Sequence, residues 1–303
     1  MKKEKQYFRI ILILIILYIL FIYGVSQIYR NYISSYNKFL RVPEKLKVVN
    51  LGSSHGFYDI KYPKNVDGYN LALDSQNLYY DWKILKQYKS NLEERAVVII
   101  PISIFSFYGD KDLGDIDLNE RYYNFLDYKD IYLGNKYKDF LIKKFYIFYN
   151  GKTIFTTLKF IIKSLINGKL EHKNNEWPSK KLTLEEKIKE ADETTKRHMR
   201  RTEVHMEYIR NILELCKENN LVSILITTPQ SYLYNERIED KQYKERIYDK
   251  IEILKKEYDF VYLDYSHDKR FENNLKLFYD DDHLNEKGAE YFTDILLNDI
   301  NNN

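Results

Sequence analysis

A three-layer α/β fold is what this sequence predicts, on three observations. Short apolar runs of strand length recur along the chain, each followed by a stretch with helical spacing. Two of them, Val97-Val98-Ile99-Ile100 and Ile224-Leu225-Ile226, are apolar without alternation, as in strands of a parallel sheet covered on both faces. Ser54, Ser75, Ser103, Thr228 and His267 all fall at or just beyond the ends of such runs, where open α/β sheets bind their ligands.

The first element lies outside that sheet. Lys2, Lys3, Lys5 and Arg9 precede an apolar run from Ile10 to Val25, interrupted only by tyrosines and Gly24. Counted to Tyr29 it is about twenty residues, enough to span a bilayer. No small-x-small cleavage pattern follows, so residues 1–29 are expected to be an uncleaved signal anchor, a single N-terminal transmembrane helix. Basic residues before the span and few charges after it predict a cytoplasmic N-terminus. The expected protein is single-pass in the cell membrane, with its main domain extracytoplasmic. Residues 30–45, which include Pro43, read as a tether.

Five strands are then expected: Leu46–Leu51, Gly68–Leu73, Ala96–Pro101, Val222–Thr228 and Phe260–Tyr265. Their alternation with helices implies crossover connections and a parallel, flavodoxin-like five-stranded sheet in an α/β domain over 46–303. A large helical insertion, about 109–220, separates the third strand from the fourth. Residues 119–170 read as helical and rich in Tyr, Phe and Lys; 171–181 read as a polar linker containing Pro178. Thr183-Leu184-Glu185-Glu186 has the form of a helix start, and one long helix is expected from about Thr194 to Asn219. Lys152, Lys159 and Lys163 break the apolar stretch 143–166, so no second span is expected there. That segment is expected to pack as a helix or as a lid over the site, with docking on the membrane surface or a membrane partner as the alternative.

Two remote segments carry chemistry. The first strand runs into Gly52-Ser53-Ser54-His55-Gly56, a serine at a strand-to-loop turn. Near the other end, Asp280-Asp281-Asp282-His283 precedes a helix start, so that one loop offers a base and a carboxylate to orient it. A serine hydroxyl is a weak nucleophile and needs such a base, and the base needs an acid to hold its tautomer. Ser54 is the expected nucleophile, with Ser53 a weaker competitor; His55 is expected to line the pocket or fix the turn. A second Asp-x-x-His, Asp264 to His267, follows the fifth strand directly and is the less favoured copy. Asp281 and Asp282 are expected to be a solvated helix N-terminus rather than a cation site. His198, Arg201 and His205 are read as one solvated helix face.

These blocks resemble the SGNH, or GDSL-like, hydrolase superfamily. Within it they look like the membrane-anchored members acting on surface polymers: DltD-like D-alanyl transfer proteins and exopolysaccharide acetyltransferases. The likeness covers roughly residues 46–103 and 222–297 and leaves the insertion unmatched. It implies a catalytic triad of Ser54, His283 and Asp280. It also implies an oxyanion hole, where the chain departs from the pattern: no glycine follows the second strand and no asparagine the third. The amides of Ser54 and Ser75 remain as donors, and Ser103 or Gln76 stands where the asparagine would be.

Composition removes other classes. With 48 basic and 45 acidic residues, and a net charge of +3, the chain has no polyanion footprint, and nucleic acid is not an expected partner. One cysteine, Cys216, permits no intrachain disulfide, and no His/Cys spacing suits zinc. No cofactor or metal is expected. The expected activity is that of an SGNH-type serine esterase or acyltransferase acting on O-acetyl or D-alanyl esters. Its partners would be an acylated cell-surface polysaccharide or teichoic-acid-like polymer and a membrane protein that exports acyl groups. The alternative is an inactive scaffold or binding module in an envelope-polymer assembly complex.

Overall fold

The computed structural model describes residues 2–109, 119–169, 177–178 and 182–302. These form two compact units, one of residues 2–41 with 119–169, the other of the remainder. The elements, in chain order, are α1 (Lys2–Ile28), β1 (Leu46–Asn50), α2 (Ser54–Tyr58), β2 (Gly68–Asn70), α3 (Leu78–Tyr88), β3 (Leu92–Pro101), β4 (Tyr108–Gly109), α4 (Lys136–Tyr149) and α5 (Thr153–Asn167). After them come α6 (Leu184–Met199), β5 (Glu203–Val204), α7 (Glu207–Glu218), β6 (Val222–Thr227), α8 (Tyr232–Asn235), α9 (Asp240–Tyr243), α10 (Asp249–Lys255), β7 (Val261–Asp264) and α11 (Glu286–Asn301).

The second unit holds the sheet. Five strands lie in the order β2-β1-β3-β6-β7, and every adjacent pair is parallel. This is the flavodoxin-like winding order, whose switch point lies between β1 and β3. Val49, Val98, Ile99, Ile100, Leu225 and Ile226 are all fully buried, which is why these strands read as unbroken apolar runs. One face packs Val48, Ile99, Ile224 and Ile226 against Ala289, Phe292 and Leu296 of α11. On α7, Ile209, Ile212 and Leu213 are buried as it packs along β6 and against α3. Burying each such side chain is worth about 1.5–3 kcal/mol.

Strand ends differ slightly from expectation. β2 stops at Asn70 because that side chain bends the chain: its amide donates to Gly56 O at 2.8 Å and Ile60 O at 3.0 Å, while its Oδ1 accepts from Ala72 N. β3 starts earlier, at Leu92, across a register shift opposite Leu46 to Val48.

The expected long helix over 194–219 is two helices. α6 ends at Met199 because the Arg246 guanidinium caps it, reaching Met199 O at 3.2 Å and Arg201 O at 2.9 Å. The backbone then turns into β5, which pairs antiparallel with β4. Arg201 and His205 are therefore not on a helix, and His198 is buried rather than solvated.

The first unit gathers α1, α4 and α5. Ile22 and Val25 of α1 are buried against Phe145 and Ile154, and Tyr29 stacks on Tyr146 at 5.0 Å. Residues 30–41, expected as a tether, are folded into this unit, with Phe39 buried and stacked on Phe125. The expected insertion is likewise divided: 119–169 joins α1, whereas α6 and α7 belong with the sheet. The difference follows from what each apolar face can cover, α1 in one case and β6 in the other. The linker expected over 171–181 lies outside the described residues except for Trp177 and Pro178.

Candidate active site

The turn after β1 is shaped by Gly52, whose φ is +116°. A Cβ there would stand 3.2 Å from the Pro101 ring, so the position needs glycine for both its dihedral and its space. The Gly52 amide donates to Asp81 Oδ1 at 2.7 Å, and the same oxygen accepts from Gln76 Nε2 at 2.6 Å. Asp81 thereby ties the turn after β1 to the loop after β2. Burial, only partly offset by these bonds, pushes its carboxyl up to about 7. Ser54, half-buried, then opens α2.

The His283 loop is built by Asp280. Its Oδ1 accepts from the amides of Asp282 and His283, at 3.2 and 2.8 Å, an Asx-type closure of the loop. Its Oδ2 lies 2.9 Å from His283 Nδ1. Asn285 then caps α11 through Gly288 N, and Gly288 is required because Leu277 O would sit 2.2 Å from a Cβ.

A second carboxylate shares the imidazole. Asp282 Oδ1 is 3.0 Å from His283 Nδ1, and its Oδ2 is 3.6 Å from His55 Nε2. Asp281 and Asp282 are each 1 % exposed, which corrects the expectation of a solvated acidic run. Burial and the neighbouring Asp282 and Asp280 push the Asp281 carboxyl up to about 9, so it is held protonated. Burial would also raise Asp282, but His283 and His55 outweigh it and hold that carboxyl below its usual range. Burial pulls His283 down; Asp280 and Asp282 overcome it and hold the ring well above an ordinary histidine.

Asp59 joins the two remote segments. Fully buried, it accepts from Leu284 N at 2.7 Å and lies 3.0 Å from His55 Nδ1. The His55 ring stacks on His283 with centroids 4.8 Å apart, and Tyr58 meets the same ring edge-on at 5.5 Å. Lys61 adds a backbone bond to Thr293 and ion pairs to Glu286 and Glu290. The α2 turn and the His283 loop are thus brought together. His283 Nε2 itself is buried without a hydrogen-bond partner, so no bond to Ser54 Oγ is formed.

His198 closes another side. Its Nδ1 lies 2.9 Å from Tyr234 Oη, and its ring packs on Phe105 at 4.2 Å. Burial drops its pKa to about 3, keeping it neutral. Phe105 also stacks on His55.

The other expected residues lie as follows. Ser75 is exposed with φ +56°, a left-handed conformation uncommon outside glycine. Gln76 is buried, with its backbone amide on Leu73 O and its side chain on Asp81. The Ser103 amide donates to Ser106 Oγ at 2.8 Å. In the earlier Asp-x-x-His copy, Asp264 accepts from Tyr248 Oη and Ser266 N, and His267 pairs with Glu272 instead.

His55, Asp282 and His283 each offer one ligand atom within 4.8 Å of the others, as do Glu190, Asp280 and Asp281. The first set has the donor types that suit a divalent cation. Sequence spacing hides it, because His55 and His283 are remote in the chain. Sequence patterns do not point to Asp59 or Asp81 either; of the two, only Asp59, four residues after His55, carries a local signal.

No curated protein matches the sequence. A crystal structure from Bacteroides fragilis, of a protein provisionally assigned as an acylhydrolase, resembles it over 90 % of this chain and 97 % of that one, at 12 % identity and a TM-score of 0.39. A family described as "Protein of unknown function (DUF1574)" matches residues 136–300, a span that includes Asp280 and His283 and stops short of Ser54. That match takes in more than half of the sequence, and the chain belongs to this family.

Proposed function

We propose that the protein is a membrane-anchored serine acyl hydrolase or acyltransferase acting outside the cytoplasm. The observation that carries it is the His283 imidazole. Its Nδ1 is held by Asp280 at 2.9 Å and its buried Nε2 has no partner, beside the turn that bears Ser54. In the proposed reaction Ser54 Oγ attacks an ester carbonyl carbon while its proton passes to His283 Nε2. The alcohol leaves with that proton as its C–O bond breaks. An acceptor hydroxyl or water then attacks the acyl carbon, giving its proton to His283 Nε2; the bond from that carbon to Ser54 Oγ breaks and His283 returns the proton to Oγ. The amides of Ser54 and Ser75 are the proposed oxyanion donors; backbone held in a left-handed conformation at Ser75 is the kind of feature found where a site needs a fixed amide.

The anchor is α1. It belongs to the one helical stretch among the described residues long and apolar enough to cross a membrane, Lys3–Ile33, whose apolar part is mostly exposed. Lysines ahead of the span favour a cytoplasmic N-terminus. A catalytic unit tethered there would meet an acylated surface polysaccharide or teichoic-acid-like polymer, the proposed substrate class. A membrane protein exporting acyl groups is the proposed partner. The SGNH-type and DltD-like resemblance supports the same reading.

A second reading, an inactive scaffold in a polymer-assembly complex, is favoured by one observation: the amides of Ser103 and Gln76 are already engaged, which thins the oxyanion hole. A fluorophosphonate probe on the full chain separates the two. An adduct on Ser54, absent from Ser54→Ala, supports the enzyme. A folded protein with no adduct favours the scaffold.

A further inference from the structure

In the first unit, the surface of α4 and α5 is unusual for helices at rest in water. Tyr137, Phe140 and Leu141 on α4 and Phe155, Ile162, Leu165 and Ile166 on α5 are 45–80 % exposed. Residues 136–169 also carry eight lysines and one aspartate. Lys136, Lys144, Lys152, Lys159 and Lys163 are exposed. Phe155, Lys159, Ile162 and Ile166 follow one another at helical spacing, so cations and apolar groups share a stripe.

The length of α1 says what meets this surface. Its exposed large apolar residues run from Tyr7 to Tyr23, while Ile22 and Val25 are covered by the α4–α5 pair. Seventeen residues at 1.5 Å each give about 26 Å, short of a hydrocarbon core of about 30 Å. Counted from Ile10, where the unbroken apolar run begins, about twenty residues reach that thickness at Tyr29, just before Arg30. The α4–α5 pair contacts the end of α1 and the helical turn that follows it, through Phe145 on Tyr23, Tyr146 on Tyr29 and Phe160 on Tyr32. These helices therefore stand at the depth of the headgroups and upper acyl chains.

We propose that the α4–α5 pair is an interfacial lipid-binding element, its apolar side chains in the upper acyl layer and its lysines on anionic headgroups. Charge selects the occupant: net positive lysine clusters beside exposed aromatics suit an anionic bilayer surface, whereas an apolar protein partner would not call for them. The element would fix the tilt and height of the anchor, which a single span leaves free. The inference rests on α1 being a membrane span, the localisation given under Proposed function.

The test uses the full chain in vesicles of phosphatidylcholine, with or without phosphatidylglycerol. An environment-sensitive fluorophore is placed singly at Ile162→Cys, at Leu14→Cys within α1, or at Lys256→Cys; Cys216 is buried and stays unlabelled. Aqueous iodide is expected to quench Lys256→Cys strongly, Leu14→Cys hardly at all, and Ile162→Cys several-fold less than Lys256→Cys. Adding Lys159→Glu and Lys163→Glu should weaken protection at 162 in the phosphatidylglycerol vesicles, about fivefold per lysine lost, with little change in phosphatidylcholine alone. A protected position 14 with position 162 quenched like 256 overturns the proposal. So does protection of 162 that arises only in native membranes, which would assign the face to a protein. Quenching at position 14 removes the anchor reading and the proposal together.

Discussion

Two segments of this chain share the pattern Asp-x-x-His, and the structure treats them differently. Asp264 gives its oxygens to Tyr248 and Ser266, and His267, with a side chain 45 % exposed, turns to Glu272. Asp280 instead closes its loop on the amides of residues 282 and 283 and keeps its other oxygen for His283. The spacing alone does not make an acid–base pair. Competing partners and burial decide, and the later copy also has Asp59 reaching across from the α2 turn to Leu284 N.

The largest expected effects test whether that contrast is catalytic. With an ester substrate, Ser54→Ala or His283→Ala should each lower kcat by roughly 10⁴- to 10⁶-fold, and the double variant should be little worse, because members of a triad act as a unit. If each cost only a few-fold and the effects added, the triad reading would be abandoned.

Asp280→Asn alone would ordinarily cost about 10⁴-fold. Here Asp282 Oδ1 is also 3.0 Å from Nδ1 and should hold the tautomer in part, so roughly 10²-fold is expected. Adding Asp282→Asn should restore the full loss. A measured 10⁴-fold loss for Asp280→Asn alone would mean that Asp282 plays no part in orienting the base.

The same pair of carboxylates predicts a pH dependence. They raise His283 well above an ordinary histidine, and only the neutral ring can accept the serine proton. Rate should therefore rise with pH to a midpoint well above 6.5, and Asp282→Asn should move that midpoint down and raise activity near neutrality. Linkage has the opposite sign. A folded pKa above the unfolded one contributes stability that is fully present below about 6.5 and is lost as pH rises through the folded value. Denaturant melts across this window check that sign independently of the chemistry.

Asp59→Asn probes the bridge between the segments. Its carboxylate is fully buried and bonded on both oxygens, and the variant should lose about 1–3 kcal/mol in a denaturant melt. Activity should fall further than stability if the bridge also sets the spacing of Ser54 and His283.

The sheet was legible because its strands are apolar on both faces; Val97–Ile100 and Ile224–Ile226 sit where their pattern put them. The division of the insertion was not legible, since helical periodicity marks an apolar face without naming what covers it. The break at Met199 depends on Arg246, some 45 residues onward, and no local signal exposes that cap. At the site, Ser54, Asp280 and His283 came from turn and spacing patterns. Asp81, Asp282 and His198 matter through burial; the acidic run disguised Asp282 as a solvated surface, and the expected long helix did the same for His198. The lysines of 136–169 were legible as composition, but not which of them stand exposed beside apolar groups on α4 and α5.

The smallest expected effect is the sharpest control on the comparison. His267 is half exposed, and its partner Glu272 is also held by Lys269 and Asn235. His267→Gln should leave the ester rate within about twofold and cost no more than about 1 kcal/mol, because the buried Glu272 keeps Lys269 and Asn235. Asp264→Asn should behave likewise in rate, because its carboxylate faces Tyr248 and not a histidine. If either change removed activity while His283→Ala did not, the two copies would exchange roles. The base would then lie beyond β7, and the bond from Asp59 to Leu284 would have to be read as structural alone.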